Sequence, residues 1–452
     1  MGLEKSTSTG IIVTSHGLFL QKNNVLMDRI FIHGGRPLRG TVKIGGSKNS
    51  ALPILAATLL TRGKCTISRV PDLSDIHYML TILSTLGCEV ERASGIVRVC
   101  AQKIRTQALY DTVRKMRASV CIIGPLLGRE GEATVSLPGG CVIGDRPIDL
   151  HLRGFEKLGT AIRMQGGNIK ALAPRLKGNT VFLRGKHGST VLGTDNIMMA
   201  AVLADGTTVI EGAAEEPEVV DLASFLVKMG ACIKGAGTSR IVIEGVKELH
   251  GAEHEIIPDR IEAGTFLIAA AICGKGVTVQ QIAPQHLQSV TDTLRKIGLF
   301  LEIDTNSITL HKKGKSHPLK VDIKPHPGFP TDMQAQMCAL LSTTEGLSTI
   351  TDHIFPRRFM HLAELKRMGA NIELEGATAT IRGVPILGAA PVMASDLRAS
   401  AALVLAGLQA EGVTEVHRVY HIDRGYERID EKLNDLGAYI ERVEATPPKV
   451  RC

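Results

Sequence analysis

Tryptophan is absent from the 452 residues, and aromatic side chains make up only 3% of the chain. Platforms for single-stranded nucleic acid stack bases on such rings, so a nucleic-acid module is a poor reading and no nucleic-acid partner is expected. No apolar run approaches the roughly 18 residues that a membrane span requires, so no membrane partner is expected either. The nine cysteines (Cys65, Cys88, Cys100, Cys121, Cys141, Cys232, Cys273, Cys338 and Cys452) have neither CxxC nor paired-histidine spacing. That pattern argues against a disulfide framework and a zinc site, leaves no metal or cofactor to be expected, and fits a reducing cytoplasm. Residues 1–26 lack a secretory apolar core, and Met1-Gly2 with Ser6 matches only a loose acylation pattern. The segment reads as a flexible extension ahead of the first strand.

What is present is an ordinary globular balance, 44% hydrophobic and 22% charged, over a length that suits two or three domains. The formal charge of +8, with so few rings for stacking, points to small anionic ligands. The densest basic run, His311-Lys312-Lys313-Gly314-Lys315, reads as a solvated turn between strands.

One unit recurs six times. It appears as Leu83-Ser-Thr-Leu-Gly87-Cys-Glu-Val90, Phe155-Glu-Lys-Leu-Gly159-Thr-Ala-Ile162 and Leu226-Val-Lys-Met-Gly230-Ala-Cys-Ile233. It returns as Leu294-Arg-Lys-Ile-Gly298-Leu-Phe-Leu301, Leu365-Lys-Arg-Met-Gly369-Ala-Asn-Ile372 and Leu433-Asn-Asp-Leu-Gly437-Ala-Tyr-Ile440. The glycines lie 72, 71, 68, 71 and 68 residues apart. Before each, apolar residues at 3–4 spacing (Ile76, Met79, Leu80, Leu83, Leu86) predict an amphipathic helix that the glycine ends in a left-handed cap. An alternating strand follows, as over Ile233 to Ile243. A second, more apolar helix is predicted earlier in the units, at 51–60, 197–203, 261–272, 333–341 and 395–408, and should lie inside a surround of sheet. The fold class is therefore α/β, with six ββαβα-type units grouped as two lobes of three and a cleft between them.

Four stretches carry candidate chemistry. Leu137-Pro-Gly-Gly-Cys141-Val-Ile-Gly-Asp145-Arg146-Pro147 is a loop holding one thiol, where Arg146 favours the thiolate and Asp145 opposes it. Gly45-Gly-Ser-Lys48-Asn49-Ser50 opens a buried helix, and its backbone N–H groups with Lys48 suit a phosphate. Arginines recur beside turns at Arg117, Arg146, Arg358, Arg398 and Arg424, the side chain suited to bidentate phosphate and carboxylate recognition. Asp332, in Pro330-Thr-Asp-Met333, is either an N-cap or first-turn dipole partner, or a general base aimed into the cleft.

With these residues assembled, the chain resembles the UDP-N-acetylglucosamine 1-carboxyvinyltransferase family over about residues 28–445. The likeness rests on Gly46-Ser-Lys-Asn-Ser-Ala-Leu-Pro, Lys115-Met-Arg-Ala-Ser, Ser136-Leu-Pro-Gly-Gly-Cys-Val-Ile-Gly and Pro258-Asp-Arg-Ile-Glu. It continues in Phe329-Pro-Thr-Asp-Met-Gln-Ala-Gln, Ser395-Asp-Leu-Arg-Ala-Ser and His421-Ile-Asp-Arg-Gly-Tyr-Glu-Arg. The resemblance implies two inside-out α/β prisms, divided as 48–256 against 27–47 with 257–446, and a tail over 447–452. It implies enolpyruvyl transfer from phosphoenolpyruvate to the 3′-hydroxyl of UDP-N-acetylglucosamine, the step that begins peptidoglycan synthesis, in a cytoplasmic monomer or weak homo-oligomer. Lys48, Asn49, Arg146, Arg358, Arg398 and Arg424 would then hold phosphoenolpyruvate. Arg117, Pro147, Ile148, Asp149, Leu150, Thr190, Val191, Leu192, Asp332 and Ile354 would line the UDP-sugar site, with Asn49 at its border. Cys141 would act near phosphoenolpyruvate and be alkylated by fosfomycin, Asp332 would take the hydroxyl proton, and Asp396 would be an acid near the reacting carbon.

Two departures from the family pattern stand out. Cys121 replaces a Trp that some relatives place in the uridine pocket, and Thr190-Val-Leu-Gly-Thr-Asp195 differs from the usual diphosphate loop, beside a suspected insertion at Lys186-His-Gly-Ser189. The Gly-Gly-Cys loop and the Phe-Pro-Thr-Asp-Met motif argue against 3-phosphoshikimate as acceptor. An inactive paralogue that only binds UDP-sugar would lack a reason to keep Lys48, Cys141, Asp332, Arg398 and Arg424 together.

Overall fold

The computed structural model describes residues 28–108, 110–113, 116–137, 148–311 and 316–444. Among them the six expected helices that precede the repeat glycines form, from Ser74–Thr85 to Ile429–Asp435. All six repeat glycines take positive φ, between 89° and 104°, where a β-carbon would strain the backbone. That is why glycine returns at the same place in each unit.

The other helix of each unit is apolar nearly all round and lies inside. These inner helices are Lys48–Ala57, Ile123–Glu130, Val191–Ala201, Arg260–Cys273, Gln334–Leu341 and Leu397–Gln409. The second of them was not anticipated, because Arg117–Ile122 ahead of it is a 3₁₀ turn and the α-helical part is short. The alternating stretch expected over 233–243 is a hairpin, Cys232–Lys234 paired antiparallel with Arg240–Glu244.

Six four-stranded sheets surround the helices. Each joins one parallel pair to two antiparallel pairs, as where Glu253–Glu255 runs parallel to Cys65–Ser68 and the hairpin of Glu89–Ala93 and Ile96–Cys100 completes the sheet. The last sheet takes its middle strand from the start of the chain. Arg29–His33 lies between Val413–His417 and Tyr439–Val443, antiparallel to both. Leu38–Lys43 likewise pairs in parallel with Gly274–Gln280.

Buried apolar side chains fall into two clusters, one drawn from residues 51–256 and the other from 30–44 together with 261–440. The chain passes between them at two adjacent points, where Gly46 bridges Pro258 and Ser47 N–H donates to the Ile257 carbonyl at 2.8 Å. A β-carbon at Gly46 would collide with the Arg69 carbonyl, so this crossing is closely packed.

Candidate active site

Lys48 is the first residue of its inner helix, capped by the Ser47 side chain. The backbone amides of this turn, expected to cradle a phosphate, are taken by the protein itself. Lys48 N–H donates to Asp259 Oδ2 at 3.2 Å, Gly45 N–H to Glu262 Oε2 at 3.0 Å, and Ser50 N–H to Ser47 Oγ at 3.3 Å. The turn also presents the Lys48 ammonium. Lys48 Nζ lies 3.3 Å from Asp75 Oδ2, and Arg424 Nε donates to Asp75 Oδ1 at 2.9 Å. Burial lowers the Lys48 pKa, with Arg398 and Arg424 adding to that push while Asp75 and Asp332 oppose it.

A second carboxylate holds a second pair of cations. Arg358 Nη1 donates to Asp332 Oδ1 at 2.7 Å, and Arg398 Nη2 to Asp332 Oδ2 at 2.9 Å. Burial alone would raise the Asp332 pKa, but the two guanidinium groups outweigh it and hold the carboxyl well below its usual range. Asp332 is not the N-cap of its 3₁₀ turn, which is Pro330; it lies in the first turn, with both oxygens on the guanidinium groups. Behind it, Tyr426 OH meets Arg398 Nη1 at 3.3 Å, Gln336 Nε2 at 3.1 Å and Thr265 Oγ1 at 2.9 Å, which fixes the guanidinium from the rear. Asp352 accepts from Thr331 Oγ1 at 2.7 Å and from the amides of Ile354 and Phe355 at 2.9 and 2.8 Å, shaping the turn that carries Ile354.

Lys48, Arg358, Arg398 and Arg424 thus converge on two carboxylates, Asp75 and Asp332, and these six side chains carry a surplus of two positive charges. A site of that sign suits a small polyanion.

Asp396 has a different place from the one expected. It is the N-cap of Leu397–Gln409, accepting from Arg398 N–H at 2.9 Å and Ala399 N–H at 3.1 Å on Oδ1, while Ser395 Oγ donates to Oδ2 at 3.2 Å. Oδ1 is spent on the helix that carries Arg398 and Oδ2 on the Ser395 hydroxyl, so the carboxylate serves as a cap that orients the site.

The residues expected around the UDP-sugar sit at the ends of three elements. Arg117 starts the 3₁₀ turn Arg117–Ile122, held to Val191–Ala201 by Asn196, whose side chain donates to the Val120 carbonyl at 2.9 Å and accepts from Gly124 N–H at 2.7 Å. Burial and the Arg117 charge push the nearby His151 down to about 4. Ile148 precedes the helix Asp149–Lys157; Leu150 packs on the 51–256 core, whereas Asp149 pairs with Arg153 at 2.7 Å on the exposed side. Thr190 caps Val191–Ala201 by accepting from Gly193 N–H at 3.2 Å, and Val191 and Leu192 are half-buried in its first turn. Lys186 and His187 form the tip of a small hairpin between Arg184–Gly185 and Gly188–Ser189. The hairpin reaches the other core, where His187 Nδ1 lies 3.2 Å from the His353 carbonyl, next to Ile354. Asn49 is half-buried beside Lys48. Cys121 does not face a pocket: it is fully buried in the core, and burial pushes its thiol well up. Cys141, Arg146 and Pro147 lie outside the described residues, as does the basic run Lys312–Lys315.

Asp75, Asp259, Asp352 and Tyr426 escaped the sequence reading. Tyr426 sits inside a quoted motif, two residues after Arg424, and the Pro-Asp before the Arg260–Cys273 helix signals a cap. Asp75 carries no signal beyond a place in the first turn of an outer helix.

The model for the EPSP synthase (3-phosphoshikimate 1-carboxyvinyltransferase) family matches residues 32–433. The UDP-N-acetylglucosamine 1-carboxyvinyltransferase of Akkermansia muciniphila is 59% identical over 422 residues, 92% of this chain and 99% of that protein. The enzyme of the same name from Methylacidiphilum infernorum is 58% identical over 417 residues, again 92% of this chain and 99% of the relative. Among solved structures, the enolpyruvyl transferase NikO from Streptomyces tendae superposes with a TM-score of 0.84 at 24% identity, over 93% of this chain and 99% of that one. The fold is thus the two-part α/β fold of enolpyruvyl transferases, as the six repeats and the resemblance implied. With identity well above half across nearly the whole of its relatives, the chain belongs to the UDP-N-acetylglucosamine 1-carboxyvinyltransferase family.

Proposed function

We propose that the protein transfers the enolpyruvyl group of phosphoenolpyruvate to the 3′-hydroxyl of UDP-N-acetylglucosamine and releases phosphate, the first committed step of peptidoglycan synthesis. The observation that carries this reading is the convergence of Lys48 and Arg424 on Asp75 and of Arg358 and Arg398 on Asp332. The cations hold the phosphate and carboxylate of phosphoenolpyruvate, with Arg146 and Asn49 completing the set, and they stabilise the phosphate as it leaves. Asp332 removes the proton of the sugar hydroxyl while Cys141 protonates the methylene carbon, making C2 electrophilic. The tetrahedral ketal so formed then loses phosphate as its C3 methyl returns a proton to the Cys141 thiolate, which restores the carbon–carbon double bond.

The ion pairs around Asp332 give this chemistry an order. While Arg358 and Arg398 grip it, the carboxylate is ionised but a weak base. An arriving carboxylate or phosphate competes for the same guanidinium groups, draws them away, and raises the basicity of Asp332 only when the second substrate is present. Arg117, Pro147, Ile148, Asp149, Leu150, Thr190, Val191, Leu192 and Ile354 line the UDP-sugar. The two cores act as lobes, divided as 48–256 and 27–47 with 257–446, and their closure expels water and brings the Cys141 loop to the substrates. Among the described residues no helix is long and apolar enough to cross a membrane. We place the enzyme in the cytoplasm as a monomer or weak homo-oligomer, alkylated at Cys141 by fosfomycin.

Phosphate release from phosphoenolpyruvate, with UDP-N-acetylglucosamine or shikimate 3-phosphate offered as acceptor, tests the reading. Release is expected with the UDP-sugar alone. Release only with shikimate 3-phosphate, or with neither acceptor, refutes it.

A further inference from the structure

Asp75 has no part in the transfer chemistry as just described, yet its carboxylate is at the centre of the cationic cluster. It is 2% exposed and belongs to the first turn of the helix Ser74–Thr85. Its two oxygens face cations from opposite cores: Lys48, at the head of an inner helix in the 51–256 core, and Arg424, at the end of the 3₁₀ turn Val419–Arg424 in the other. A second contact close by ties the same helix start across the cleft, Asp72 N–H donating to Glu427 Oε2 at 3.2 Å.

We propose that Asp75 is a positioning residue of the transfer reaction: by holding Lys48 and Arg424 on separate oxygens it sets the spacing of the two cations that meet phosphoenolpyruvate, and it carries Arg424 into place as the lobes close. This rests on the reaction proposed above. Two physical needs support the role. A buried ammonium with Arg398 and Arg424 nearby loses its proton easily unless a carboxylate faces it, and Asp75 is the only carboxylate within ion-pair reach of Lys48 among the described residues, with Asp332 further off. Arg424 is half-exposed, and its 2.9 Å contact with Asp75 restricts the rotamers of a long side chain. One carboxylate serves both.

Two variants separate charge from position. Asp75→Asn keeps the shape and removes the charge: the KM for phosphoenolpyruvate should rise at least tenfold, that for UDP-N-acetylglucosamine should stay within twofold, and the basic limb of the kcat/KM profile for phosphoenolpyruvate should move to lower pH. The groups that face Lys48 and shape this limb are Asp75, Asp332, Arg398 and Arg424. Asp75→Glu keeps the charge and shifts it by one methylene: the phosphoenolpyruvate KM should rise while the basic limb stays in place. Calorimetric titration with phosphoenolpyruvate gives the same comparison without turnover, and each variant should bind it at least tenfold more weakly than the natural protein. Unchanged phosphoenolpyruvate affinity in both variants, or equal losses for both substrates, overturns the positioning role. An inactive natural protein whose phosphoenolpyruvate affinity nevertheless falls in the variants would overturn the reaction and leave the role of Asp75 standing.

Discussion

Replacing Asp332 by Ala removes the common partner of two guanidinium groups that are almost wholly buried, Arg398 with 4% and Arg358 with 7% of the side chain exposed, against 25% for Asp332 itself. Breaking a buried ion pair from one side costs about 3–5 kcal/mol, because the remaining charge has lost its solvent and its partner together. The partial exposure of the carboxylate, and the hydroxyls of Tyr426 and Thr331 that stay near Arg398 and Arg358 at 3.3 Å each, put this variant at the low end, about 3 kcal/mol. For a unit of this size that is a fall in Tm of about 6–12 °C by calorimetry. The loss should be reversed by the ligand chemistry of the site, since orthophosphate can now occupy the place the carboxylate held. At a hundredfold excess over its Kd it returns about 2.7 kcal/mol, and its gain in Tm should exceed that in the natural protein, where the anion must first displace Asp332. Because the Asp332 pKa is depressed in the folded state, its contribution is full above the ordinary carboxylate value and disappears as the pH falls through the lower folded value. The two proteins should therefore converge in strong acid. Phosphate release should drop at least tenfold, since a lost general base removes about 10²–10⁴. A Tm within 2 °C of the natural protein (about 1 kcal/mol or less), or an equal response to phosphate, would refute this account of the site.

Fosfomycin should add one equivalent of mass at Cys141 and none to the Cys141→Asp variant. Burial pushes the thiols of Cys65, Cys121 and Cys338 up and that of Cys88 up to about 12, so an adduct at any of these four would contradict their description as inert. His361, fully buried with Arg358 nearby, is pushed down to about 4. It is neutral when folded, whereas the unfolded chain takes up its proton below about pH 6.5, so stability should fall as the pH drops from about 6.5 to about 4. In His361→Gln the slope of urea-unfolding free energy over that window should lessen by about one proton; an unchanged slope would show that His361 does not titrate this way.

Much of the architecture was legible because it repeats. A glycine with two apolar residues before it and one after states its own reason, the left-handed cap, and six copies place six helices and six turns. The middle strand of the sixth sheet could not be read so, since Arg29–His33 pairs with residues 380 positions or more away and nothing local announces the partner. The site divided along the same line. Arginines, the lysine and Asp332 were visible beside turns, but the second carboxylate that organises them was not: Asp75 and Arg424 are 349 residues apart, and an aspartate in a first helical turn usually serves the helix dipole. Asp396 erred in the opposite direction, where the resemblance suggested chemistry and the geometry assigns a cap. The turn at Gly45–Ser50 has the phosphate-binding form, but carboxylates brought in from the Asp259 turn use its amides.

The strand borrowed from the start of the chain also dictates a timetable on the ribosome. The 51–256 core can assemble as soon as its own residues emerge, whereas Arg29–His33 must wait until both flanking strands, ending at Val443, have been made. Through nearly all of translation Ile30 and Ile32 have no greasy interior to enter, and they are candidates for chaperone shelter. Shortening the chain just ahead of Tyr439 would strand the earliest-made segment with one neighbour instead of two, so damage at the tail is felt at the head.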